Sequence, residues 1–125
     1  MNSIKTTTEI GQDYEQHAES YLQSQGLSMI EKNYRCRAGE IDLIMRDRST
    51  LVFVEVKARN TSRFGSPVQT VTKAKQKKVI AAAKHYLAQK KIGEKYAVRF
   101  DVLGILHQIN GVSGLNFEWI PNAFD

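Results

Sequence analysis

The chain has 125 residues, 42% hydrophobic and 25% charged, with a formal net charge of +5, which suits one soluble domain over residues 1–125 with a two- or three-layer core. No stretch approaches the roughly 18 apolar residues of a membrane-spanning helix, and the opening MNSIKTTTEIGQDYEQ has no apolar run, so neither a membrane association nor a signal peptide is expected. Cys36 is the one cysteine: it excludes an intrachain disulfide, points to the cytoplasm as compartment, and lacks any partner motif for catalysis.

In chain order, residues 9–25, EIGQDYEQHAESYLQSQ, read as a helix, with Thr8 as N-cap and Gly26 just past its end. Ile10, Tyr14, Ala18, Tyr21 and Leu22 form its apolar stripe. At about 100° per residue, Glu15 falls about 20° from Leu22, at the edge of that stripe, where a carboxylate can look into a cleft while its helix packs on a sheet. Strands follow over residues 27–34, 40–46 and 51–59, the last two joined by the turn residues Asp47-Arg48-Ser49-Thr50. NTSRFGSPVQT, residues 60–70, reads as a polar loop. A second helix over residues 71–90 buries Val79, Ala82, Ala83, Tyr86 and Leu87, and strands over 96–106 and 115–120 flank an Asn110-Gly111 turn. This order predicts an α/β sandwich, a mixed central sheet flanked by helices.

The strands carry charges where apolar residues are expected. Val52, Val54 and Val56 share one face of their strand, and Phe53, Glu55 and Lys57 the other; in the preceding strand Ile41, Leu43 and Met45 oppose Glu40 and Asp42. Folding the hairpin about Arg48-Ser49 sets Leu43 opposite Val54 and Asp42 opposite Glu55, the register that keeps all aliphatic residues on one side. The two acidic Cβ atoms then lie about 5 Å apart, and charges at that distance repel by roughly 3 kcal/mol at an effective dielectric near 20. One ammonium, Lys57, does not neutralise two carboxylates. A divalent cation with oxygen preference, Mg²⁺ or Mn²⁺, would. A local ion pair between Glu55 and Lys57 is the plainer alternative.

Basic residues are concentrated too. From Lys57 to Gly93 there are ten Lys and Arg and no Asp or Glu, while the rest of the chain holds eight basic and thirteen acidic residues. Such a segment is either a solvated helix face or a surface for a polyanion. Lys73, Lys75, Lys77 and Lys78 open the second helix against its macrodipole, so stability does not explain them, whereas a nucleic-acid phosphate there would be favoured. Arg59, Arg63 and Gln69 in or beside the preceding loop are further candidates. His17, His85 and His107 lie in separate elements without ligand spacing and read as structural or surface residues. Asp101 is expected to pair with Arg99, and Phe117 and Trp119 to join the core.

The stretches GQDYEQHAESYL, NYRCRAGEIDLI, LVFVEVKAR, FGSPVQTVTKAKQKKVIAAAKHYL and VRFDVLGI resemble the YraN-like family of small bacterial proteins, within the PD-(D/E)xK nuclease superfamily. The resemblance implies a restriction-endonuclease-like αβββαβ core and a metal-dependent endonuclease acting on DNA rather than RNA, branched or damaged DNA included. It implies Asp42, Glu55 and Lys57 as the catalytic triad, with Glu15 as the helix-borne acid of archaeal Holliday junction resolvase-like members. Asp42, Glu55 and the Val56 carbonyl would hold the metal, Lys73 is the position the family keeps basic, and Glu40 is an additional acid of undecided role. A homodimer is the assembly of resolvase-like relatives. Ile41 stands where the superfamily motif has proline. The competing readings are a non-catalytic nucleic-acid-binding module on the same fold, and a metal-free interaction protein.

Overall fold

A computed structural model describes residues 7–59, 67–107 and 115–125, with side chains over 14–58, 69–106 and 115–125. Its elements are α1 (Thr7–Ser24), β1 (Ser28–Cys36), β2 (Gly39–Asp47), β3 (Thr50–Arg59), a 3₁₀ turn (Pro67–Thr70), α2 (Lys73–Gln89), β4 (Ala97–His107) and β5 (Leu115–Phe124). The element order is the expected one.

The five strands form one sheet in the order β1-β2-β3-β4-β5. Only β3 and β4 run parallel; the other neighbours are antiparallel. A parallel pair needs a crossover, and α2 supplies it. Ala18 and Leu22 of α1 pack on one face against Leu43, Met45, Val52, Val54, Leu103 and Ile105. Val79, Ala82, Ala83 and Tyr86 of α2 pack on the other against Ile44, Phe53, Phe100 and Val102. The result is a helix–sheet–helix sandwich, as the alternation of β2 and β3 predicts.

Local chemistry explains most boundaries. At the end of α1, Leu27 N–H donates to Leu22 O and Gly26 N–H to Gln23 O, with Gly26 at φ 102°. This is a Schellman close, and buried Leu22 and Leu27 make its apolar contact. Thr8, expected as N-cap, lies inside the helix, which begins at Thr7. Three successive threonines offer equivalent caps, and spacing alone does not choose among them. For α2 the start moves from residue 71 to Lys73, because the Thr72 hydroxyl accepts from Lys75 N–H at 3.1 Å and caps the helix.

One further expectation changes. Strand β5 continues beyond Ile120 to Phe124, through Pro121, which an edge strand tolerates. Its end is held by Asp101, 0% exposed, whose carboxylate accepts from Trp119 Nε1–H and from Asn122 N–H, each at 2.9 Å. Arg99 Nε–H donates to the same carboxylate at 3.1 Å, and Arg99 Nη1 reaches Asp47 at 2.9 Å; the expected Arg99–Asp101 pair is present. The Asn110-Gly111 turn lies outside the described residues.

Candidate active site

The hairpin between β2 and β3 has the register read from the sequence: Asp47 opposes Thr50, Arg46 Leu51, Met45 Val52, Ile44 Phe53 and Leu43 Val54. The regular ladder stops there, one position before Asp42 would meet Glu55. Beyond it the two acids take over the backbone pairing. Asp42 N–H donates to Glu55 Oε2 at 3.3 Å, and Val56 N–H donates to Asp42 Oδ2 at 2.8 Å. Each carboxylate thus accepts an amide across the gap between strands, which fixes one oxygen of each.

The break has a consequence for the neighbouring pleat. Ile41, expected on the face of Leu43 and Met45, packs instead in the layer beneath α2. Alternation of side chains holds only while the ladder is regular, and it fails where side-chain oxygens replace the β2–β3 backbone bonds. On the other side of β2, Asn33 carries φ 54°, a left-handed conformation that asparagine tolerates better than most residues.

Glu55 is 1% exposed. Burial, and next the neighbouring Asp42 charge, push its carboxyl up to about 7. Lys75, whose Nζ lies 3.4 Å from Glu55 Oε1 and whose side chain is 30% exposed, works in the opposite direction. Asp42 is also raised, first by burial, with the Val56 amide, Lys75 and Lys57 lowering it and Glu40 raising it. A buried and a half-buried carboxyl held above their ordinary range, with Lys75 drawn up to Glu55, describe a site short of positive charge.

Glu15 enters from α1. It is half-buried, raised by burial and by the Asp42 and Glu40 charges, and lowered by an Asn33 hydrogen bond and by Arg35. Lys57, half-buried, lies two residues beyond Glu55 on β3. Glu40 is exposed and pairs with Arg35 Nε at 3.4 Å, so it stands at the rim. Among the basic candidates, Lys75 is brought to the acids, whereas Lys73, Lys77 and Gln69 are exposed. The Arg59 side chain and the whole of Arg63 lie outside the described residues.

An all-oxygen donor set of two carboxylates, with a backbone carbonyl beside them, fits the preferences of Mg²⁺ or Mn²⁺. Among the described residues no group of three His, Cys, Asp or Glu side chains converges as a ready ligand set. An ion bound at Asp42 and Glu55 would therefore keep waters or substrate oxygens in its other positions, as Mg²⁺ commonly does.

A cleft of about 360 Å³ adjoins the acids, lined by Arg35, Cys36, Gly39, Glu40, Lys75 and Lys78. Arg35 and Asn33 are the site neighbours that sequence reasoning passed over, whereas Lys78 is one of the lysines read there as opening the second helix. The positive φ of Asn33 was hinted at by its residue type, but Arg35 lies outside the basic third and has no signal of its own.

The three layers and element order are compatible with a restriction-endonuclease-like αβ fold, and that is the class of protein the architecture defines. Within it, the chain belongs to the YraN-like family: residues 14–105 match the uncharacterised protein family UPF0102. It is similar to a UPF0102 protein of Nitrosomonas europaea, 50% identical over 92% of each chain. A UPF0102 protein of Legionella pneumophila is 44% identical over 95% of this chain and 97% of its own. One of Aeromonas hydrophila is 48% identical over 99% of this chain and 91% of its own.

Proposed function

We propose that this protein is a Mg²⁺- or Mn²⁺-dependent nuclease that hydrolyses phosphodiester bonds, with DNA as substrate. The observation that carries the reading is the interlock of Asp42 and Glu55 where β2 and β3 part, with Glu55 raised to about 7. Such an arrangement disfavours the metal-free ionised state and is relieved by a divalent ion.

Asp42 and Glu55, with the Val56 carbonyl, would hold the ion, which supplies charge neutralisation at the phosphoryl oxygens and lowers the pKa of a nearby water. Lys57 orients the attacking water and offsets charge that develops on the phosphate. Glu15, in electrostatic contact with Asp42, holds that water from the α1 side. Lys75 keeps Glu55 compensated before substrate arrives and then shares its charge with a phosphate.

The test is cleavage of junction, flap, duplex and single-stranded substrates in Mg²⁺, Mn²⁺ and EDTA. Glu55→Gln and Lys57→Ala are expected to lower metal-dependent cleavage at least about 100-fold. Equal cleavage by wild type and both variants would remove the proposal. A non-catalytic nucleic-acid-binding module is the second reading, favoured by the lack of a third converging acid among the described residues; it requires binding without cleavage on every substrate. Self-association into a homodimer is compatible with either reading.

A further inference from the structure

The cleft beside the acids is bounded by the β1–β2 turn on one side and the first turns of α2 on the other. Three of its six lining residues, Arg35, Lys75 and Lys78, are cationic and one, Glu40, is anionic. Glu40 meets Arg35 at Nε, 3.4 Å away, with the Arg35 side chain 76% exposed. An exposed pair of that length contributes little, and a guanidinium has further N–H donors for an oxyanion. Lys78 is exposed on α2, beyond the first turn whose amide Thr72 already caps.

The walls are built to stay close. Gly39 has φ 156°, and a Cβ there would lie 3.0 Å from the Lys78 carbonyl oxygen. The absence of a side chain lets the turn carrying Glu40 press against the helix segment carrying Lys78. Lys75 joins the cleft to the acids, lining one while reaching the other at Glu55.

We infer that this cleft is a phosphate subsite for the strand being cut, in which Arg35 and Lys78 hold a backbone phosphate next to the one at Asp42 and Glu55. The inference rests on the nuclease reading for the identity of its ligand. It adds a direction: the strand runs out between the β1–β2 turn and α2, and Lys75 bridges the two phosphate positions. The ligand chemistry is a phosphodiester, common to DNA and RNA.

The experiment is fluorescence anisotropy in EDTA, over a range of salt, with DNA and RNA oligonucleotides of one sequence. The proteins are wild type, the double variant Arg35→Gln/Lys78→Gln, and a control Lys84→Gln/Lys90→Gln on the exposed remainder of α2 and its C-cap. The cleft variant is expected to lose at least about tenfold in affinity and about one from the slope of log K against log salt, for the one phosphate it no longer neutralises. The control should keep affinity within about twofold. If DNA and RNA lose affinity alike, the subsite reads the phosphodiester alone; a loss confined to one assigns it to that nucleic acid.

Equal slopes for cleft variant and wild type would overturn the subsite, as would absence of nucleic-acid binding by wild type. Both substituted side chains are exposed, and melting temperatures check the fold. Should the variant nevertheless be destabilised, amide chemical shifts of wild type with a short oligonucleotide decide: the subsite requires movement at Gly39, Glu40 and Lys78, and none there overturns it. Failure of the nuclease reading shows differently, as wild type that binds with the expected slope yet cleaves nothing in Mg²⁺ or Mn²⁺.

Discussion

Asp42 donates its backbone N–H to the Glu55 carboxylate at 3.3 Å, and its own carboxylate accepts from the amide that follows Glu55, at 2.8 Å. The reciprocal contact holds buried Glu55 and half-buried Asp42 together where the regular β2–β3 ladder ends. Its electrostatic cost is visible in the direction of both pKa shifts.

That cost makes metal-free stability depend on pH. Glu55 has an ordinary value of 4.5 and is raised to about 7 when folded. The folded state therefore binds the proton more tightly, and the associated stability is fully present below about pH 4.5 and lost as pH rises through about 7. The unfolding free energy of wild type relative to Glu55→Gln, measured in EDTA, should fall by up to about 3 kcal/mol between pH 4 and pH 8. A constant difference across that range would show that Glu55 is not raised.

Lys75 Nζ lies 3.4 Å from Glu55 Oε1. Lys75→Met leaves the buried carboxylate without it and should destabilise the metal-free protein at pH 8 by about 1–2 kcal/mol, less than for a fully buried pair because the ammonium is partly solvated. At pH 4.5, where Glu55 is protonated, the loss should largely vanish. Urea unfolding at the two pH values checks both statements.

Gly39 sits where the β1–β2 turn meets α2. Gly39→Ala combines an unfavourable φ with a 3.0 Å approach to the Lys78 carbonyl, and should cost about 1–3 kcal/mol of stability. Nucleic-acid affinity should fall with it as the cleft walls part, while the Asp42–Glu55 site keeps its metal affinity. Thermal melts and anisotropy distinguish this from a change confined to stability.

Asp101 is the contrasting buried acid. Arg99, Trp119 and Asn122 all donate to it, so Asp101→Asn should destabilise the fold by about 3 kcal/mol, the cost of breaking a satisfied buried pair. It should leave divalent-ion binding unchanged at temperatures where the variant is folded.

Much of this arrangement was legible in the sequence. The valines of β3 and the aliphatic residues of β2 admit one register, and that register alone brings Asp42 to the position of Glu55. Helix α1 gave Glu15 an edge position from its angle to Leu22, and Glu15 is indeed in electrostatic contact with Asp42. What the sequence concealed arises from tertiary contacts. Ile41 changes layers because carboxylate oxygens, not backbone carbonyls, pair the amides beside it. Lys75 read as one lysine in a basic run, and only the crossing of α2 over the sheet selects it for Glu55. Arg35 becomes a neighbour of Lys78 through a turn closed by Gly39, with no spacing rule that links residues so far apart.

The central claim is that Asp42 and Glu55 form a divalent-ion site. Titration calorimetry at pH 8 with Mn²⁺, and separately with Mg²⁺, tests it most directly on wild type, Asp42→Asn, Glu55→Gln and Asp101→Asn. A saturable site is expected in wild type and Asp101→Asn, and its loss in the other two. Identical titrations for wild type and Glu55→Gln, or no uptake by wild type, would contradict it.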